Sequence, residues 1–197
     1  GGGIYIRGDS AQPSLTGNII RNNQGIGVLS DSGAQPTIVA NEITGNSGQG
    51  IFSSQSHSII TGNTIAGNSA GVSLWNGGSA TVAENEIKDN RGNGIYFAHW
   101  SSVLPVLIKD NTIVGNMRGI DAQSSRRTTI TGNYIAGNDA TRFRYSSDQD
   151  GGAIRFGSSS SNTLIVSDNT FEDNKARNGG AISMSGRTIM LHNNIIR

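Results

Sequence analysis

The sequence predicts an all-β chain wound as a single-stranded, right-handed parallel β-helix, a solenoid of about eight coils of ~22 residues each. Three observations predict it. The pattern apolar-x-x-Asn-x-Ile-x-x-Asn recurs eight times in 197 residues, with its first Asn at 18, 41, 63, 85, 111, 133, 169 and 194. Apolar and polar residues alternate with period two around each of those asparagines. Finally, 28 glycines and 21 asparagines stand beside 24 isoleucines, a mixture suited to short buried strands cut by tight turns.

Each coil supplies three strands. Three residues before the ladder asparagines Asn18, Asn41, Asn63, Asn85, Asn111, Asn133, Asn169 and Asn194 stand Leu15, Ile38, Ile60, Val82, Ile108, Ile130, Val166 and Leu191. Two residues after them stand Ile20, Ile43, Ile65, Ile87, Ile113, Ile135, Phe171 and Ile196. All of these are apolar and are read as inward. The third strand has the form Gly/Ala-apolar-x-apolar, as in Ile4-Tyr5-Ile6, Ile26-Gly27-Val28, Val72-Ser73-Leu74, Ile95-Tyr96-Phe97, Ile154-Arg155-Phe156 and Ile182-Ser183-Met184. Two units carry Ser53 and Ala122 at the second inner place. A sandwich places antiparallel strands every 8–12 residues or so, whereas identical registers at a fixed period stack in parallel, about 4.8 Å per coil. Handedness is taken from the rule for parallel crossovers. The asparagines are read as corner residues in the left-handed region that pass amide hydrogen bonds along the axis. A second set at 23, 46, 68, 90, 116, 138 and 174 marks the next corner.

The formal net charge is +1, which removes the broad field of a nucleic-acid binder. No apolar run approaches a membrane span of roughly 18 residues, so no membrane insertion is expected. The chain has no cysteine, hence neither disulfides nor a thiolate metal site. It reads as one domain over residues 1–197, with insertions at 98–105 and 139–151. It starts on a strand at Gly1-Gly2-Gly3-Ile4 and stops inside the repeat at Asn194-Ile195-Ile196-Arg197, where a solenoid wants a cap. The expectation is a segment of a longer solenoid, or subunits that associate end to end.

Units such as Thr61-Gly62-Asn63-Thr64-Ile65-Ala66-Gly67-Asn68 resemble the right-handed parallel β-helix repeat of carbohydrate-binding and sugar-hydrolase domains, of pectate-lyase-like enzymes, of alginate epimerases and of bacterial surface proteins. The last two coils, with Gly151-Gly152-Ala153-Ile154, Phe171-Glu172-Asp173-Asn174 and Gly179-Gly180-Ala181-Ile182, are similar to chlamydial polymorphic outer-membrane repeats. The resemblance implies an extracellular or cell-surface protein with a polysaccharide partner. The Asp-Pro-His-Glu motif of alginate epimerases and the paired-Asp and Gly-His-Gly motifs of polygalacturonases are absent from the sequence.

Function on such a rod comes from outward side chains. The outward place of the third strand reads Tyr5, Gly27, Phe52, Ser73, Tyr96, Asp121, Arg155 and Ser183, and two residues on Arg7, Leu29, Ser54, Trp75, Ala98, Gln123, Gly157 and Ser185. Tyr5, Phe52, Trp75 and Tyr96 therefore share one face, with Trp100 just beyond, as candidate platforms for sugar rings. Trp75 and Tyr96 are expected to be diagonal neighbours. The other account is that aromatics simply favour strands. Asp121 and Arg155, in one column of consecutive coils, form either a surface ion pair or a carboxylate and guanidinium acting on a uronic acid. His99 is a candidate general base. The insertion 139–151, with Arg142, Phe143, Arg144, Tyr145, Asp148 and Asp150, either walls the track or is a surface excursion. Asp148 and Asp150 are too few for a Ca²⁺ site, and no metal or cofactor is expected. Three readings follow: a polysaccharide-binding or adhesion module; a polysaccharide lyase or hydrolase using Asp121, Arg155 and His99; and a structural solenoid that self-assembles through its ends.

Overall fold

The computed structural model describes residues 1–76, 78–98, 104–123, 127–145, 148–157, 163–185 and 188–197. Within them the chain is a parallel β-solenoid of three sheets, each of eight strands. Sheet 1 contains Ile4–Arg7, Val28–Asp31, Ile51–Ser54, Val72–Trp75, Asn93–Ala98, Arg118–Gln123, Ile154–Gly157 and Ile182–Ser185. Sheet 2 runs from Ser14–Thr16 to Thr188–His192, and sheet 3 from Ile19–Arg21 to Ile195–Ile196. Every strand pairs with its equivalent in the next coil, for example Ile87 with Ile65 and with Ile113. A 3-10 turn at Ala140–Arg142 opens the insertion.

The core is made of stacked like residues. Ile43, Ile65, Ile87, Ile113, Ile135 and Phe171 form one column and Ile38, Ile60, Val82, Ile108, Ile130 and Val166 another, all at 0% exposure. Sheet 1 closes the interior with Leu74, Phe97, Ala122 and Phe156. Ser53, the weak inner residue of its coil, is accommodated by a polar partner: its Oγ lies 2.8 Å from that of buried Ser58. In the coil that contains them, Leu191 and Ile196, read as inward, are 47% and 62% exposed.

The asparagine columns run as hydrogen-bonded ladders. Asn63 shows the scheme: its Oδ1 accepts from the backbone N–H and from Nδ2 of Asn41, both at 2.9 Å. Its own Nδ2 donates to Asn85 Oδ1 at 3.0 Å and to the Ile38 carbonyl at 2.9 Å. A second ladder passes through Asn46, Asn68, Asn90, Asn116 and Asn138 in the same way. One expectation is corrected here. The left-handed residue is not the ladder asparagine but the one before it: Gly17, Ala40, Gly62, Glu84, Asp110, Gly132, Asp168 and Asn193 all have φ between 52° and 68°. The reversal at that residue turns the following asparagine inward, where its buried amide has to be saturated.

A glycine column, Gly27, Gly50, Gly71, Gly94 and Gly119, stands immediately before the first inward residue of sheet 1 in each of these coils, where the next coil approaches closely. A Cβ on Gly94 would lie 2.8 Å from the Gly119 carbonyl oxygen and 2.8 Å from Ile113 Cγ2. Gly94→Ala is expected to destabilise the rod by about 1–3 kcal/mol through overpacking, read as a lower urea midpoint at unchanged slope.

Candidate functional site

The outward face of sheet 1 carries the site. Strand pairing sets its main column as Tyr5, Leu29, Phe52, Ser73, Tyr96, Asp121, Arg155 and Ser183. The second coil therefore contributes Leu29, not Gly27, and the expectation is corrected by one slip of two residues. Gly25-Ile26-Gly27-Val28 offers two glycine-apolar registers. The ladder selects the second, since Ile4 N–H donates to Gly27 O and Val28 N–H to Gly50 O, each at 2.9 Å. Asp31 then takes the place beside Arg7 assigned to Leu29.

Three of the aromatics meet. The Phe52 and Trp75 rings stack with centroids 6.4 Å apart and an interplanar angle of 26°. Trp75 and Tyr96 lie at 5.3 Å and 44°. All three rings are half-buried, and Ser73, outward between Phe52 and Tyr96 in the column, is buried. The three rings pack against one another along this face, with Trp75 between Phe52 and Tyr96. Tyr5 is 58% exposed at the first coil, separated from Phe52 by Leu29. His99 and Trp100 lie outside the described residues.

Below Tyr96 the column becomes ionic. Asp121 follows Tyr96, but it is not the surface residue expected; it is 3% exposed. Its Oδ2 accepts from Nη1 of Arg118 at 2.7 Å, and Arg118 is itself 1% exposed. Arg155, next in the column, stands farther off, its Nη1 3.9 Å from Asp121 Oδ2 and 3.7 Å from Asp148 Oδ1. Burial pushes the Asp121 carboxyl above its ordinary range against the pull of Arg118 and Arg155. Burial likewise raises the Tyr96 hydroxyl, and the Asp121 charge adds to it. A carboxylate already committed to a buried guanidinium is a structural anion first.

The insertion 139–151 covers this pair. Arg118 donates from Nε to the carbonyls of Asp150 and Gly151 at 3.2 and 3.1 Å, and from Nη2 to Asp150 O at 2.9 Å and to Asp148 O. The Phe143 ring lies over its Cζ at 4.7 Å. Gln149 Nε2 ties the loop to itself through the carbonyls of Thr141 and Phe143, at 3.1 and 2.9 Å. Asp150 Oδ1 accepts from Asn178 Nδ2 at 2.8 Å, and Asp148 Oδ1 faces Arg155. Among the described residues no group of three or more His, Cys, Asp or Glu side chains is arranged to hold a metal ion.

Arg118 was not singled out from the sequence. The signal was available: its place in the coil, paired with Asn93, is otherwise held by Gly2, Ile26, Gln49, Ala70, Gly152 and Gly180, so Arg118 is the one charged residue in its column.

A family model described as right handed beta helix region matches residues 2–150 and 106–196. The chain belongs to that right-handed β-helix family. Among solved structures the β-helix is similar to the periplasmic alginate epimerase AlgG, at 21% identity and a TM-score of 0.73 over 100% of this chain and 47% of that one. A point mutant of AlgG gives 20% identity and a TM-score of 0.75 over 100% and 48%. The chain thus spans about half the length of those structures. A search of curated proteins returned no match. At this identity the likeness to AlgG is one of fold.

Proposed function

We propose that this β-helix binds a polysaccharide outside the cytoplasm, as a recognition or adhesion module, with the glycan lying along the outward face of sheet 1. The observation that carries the reading is the run of Phe52, Trp75 and Tyr96 rings leading along one face to the partly exposed guanidinium of Arg155. Rings of this kind stack on the apolar faces of sugars. The guanidinium beyond them suits a carboxylate on the same chain. The fold's likeness to a structure named as a periplasmic alginate epimerase supports a polysaccharide partner and a location outside the cytoplasm. One feature favours binding over turnover: Asp121 is engaged by Arg118.

Trp75→Ala combined with Tyr96→Ala tests the reading. Removing two stacked contacts worth roughly 1.5 kcal/mol each weakens binding about 100-fold, seen as lost glycan-array signal with an unchanged circular-dichroism spectrum. Undiminished signal overturns the reading. New ultraviolet absorbance from unsaturated ends, or new reducing sugars, would convert it into a lyase or hydrolase.

A further inference from the structure

The two carboxylates that flank Arg155 are fixed by one buried side chain. Asp121 is held through its Oδ2, which accepts from Arg118 Nη1 at 2.7 Å. Asp148 is held through its backbone, whose carbonyl accepts from Nη2 of the same guanidinium. Both carboxylates stand 3.7–3.9 Å from Arg155 Nη1, outside hydrogen-bonding reach. Among the described residues no group accepts a hydrogen bond from Arg155, whose side chain is 28% exposed. Arg155 is thus held between the two carboxylates by charge, and among the described residues its side-chain N–H groups have no hydrogen-bond acceptor. A planar guanidinium with free donors matches a carboxylate in a forked, bidentate geometry. Arg118, at 1% exposure, touches no solvent and hence no glycan; whatever it does for binding it does through its neighbours.

We infer that Arg118 is a positioning residue that latches the insertion 139–151 onto the coil as a fixed wall and, through Asp121 and Asp148, presents Arg155 to a sugar bearing a carboxylate. The inference rests on the polysaccharide-binding reading for its ligand, but the latch itself is a property of the free protein. The loop is also tied to the following coil, by Asn178 Nδ2 to Asp150 Oδ1 and by Arg177 N–H to Gln149 O. Loss of the Arg118 guanidinium therefore removes its anchor on the preceding coil while the aromatic rings of other coils are untouched.

The test uses the full chain, as wild type and as Arg118→Met, Arg118→Lys and Arg155→Gln, titrated with an oligo-uronate and with its carboxyl-reduced, neutral counterpart. Wild type is expected to prefer the uronate by at least about 10-fold, as a charge-assisted bidentate contact gives. Arg155→Gln and Arg118→Met both bring that ratio to near unity while affinity for the neutral oligomer is retained. Lysine at 118 keeps the charge but lacks the fork, and does not restore the ratio. Amide hydrogen exchange over 139–151 rises at least about 10-fold in Arg118→Met, with the ladder asparagine amides unchanged.

An unchanged ratio in Arg118→Met, equal loss of both ligands, wild type without preference, or unaltered loop exchange each overturns the inference. Should Arg118→Met fail to fold because Asp121 is left unpaired, Phe143→Ala removes the ring over the guanidinium without stranding a charge. It is expected to raise loop exchange in the same segment, and no rise overturns the latch. If wild type binds neither oligomer, the binding reading fails, and the exchange result alone decides whether the latch exists.

Discussion

Ile65→Asp is expected to unfold the central coils at neutral pH, a cost of more than about 4 kcal/mol. Ile65 is 0% exposed and stacked between Ile43 and Ile87, with neighbours that are apolar on both sides of the column. A carboxylate there has no counter-charge and no donor, so its protonated form is strongly favoured in the folded state. The sign follows. A folded-state pKa above the unfolded one makes the folded variant bind more protons, so its deficit shrinks as pH falls and grows as pH rises. Thermal melts followed by circular dichroism are expected to show the variant closer to wild type near about pH 5 than near about pH 8. Ile65→Val, which removes one methyl, costs about 0.5–1.5 kcal/mol and serves as the control for volume alone.

Asn63→Ala is expected to cost less, about 3 kcal/mol, because it strands groups that are polar but neutral. Asn63 is 1% exposed. Truncation leaves the Asn41 backbone N–H and Nδ2 without their shared acceptor, and the Ile38 carbonyl without its donor. The damage is local, since the remaining ladder from Asn85 to Asn169 keeps its own bonds. Chemical denaturation of both variants checks the order. If Asn63→Ala proves the more damaging, the interior and the corner have been assigned the wrong way round.

Much of this fold was legible because its information is local and repeated. Each coil restates the same alternation, so Ile65 or Ile113 declares itself inward from three neighbours on either side, and eight restatements cancel the noise of any one. The errors arose where the local signal was degenerate. Gly25-Ile26-Gly27-Val28 fits the glycine column in two ways, and only strand pairing with Ile4 and Ile51 decides that Val28 and Leu29 belong to the strand. The turn chemistry was likewise displaced by one residue, because a left-handed glycine, aspartate or asparagine beside a ladder asparagine reads as one corner in a sequence. The aromatic face was foreseeable for the same reason as the core: period two places Phe52 and Tyr96 outward in one column and Trp75 in the next.

The ionic half of the site obeys no period. Asp121 and Arg155 could be placed in one column, but whether that column faced water depended on where the insertion 139–151 came to rest. It rests on Arg118, 30 to 33 residues away from the carbonyls it binds.

By itself, then, the sequence determined the coil, its three strands, the inward columns and the ring-bearing outward face, because each is set by contacts between a residue and its copies one repeat away. Only the tertiary structure decided that Asp121 is buried, that Arg118 clasps the insertion, and that Arg155 stands between two carboxylates without bonding to either. Those outcomes come from one segment folding back on the rod. Its docking depends on the competition between a guanidinium's desolvation and the carbonyls that replace its water, a balance that no repeat in the sequence encodes.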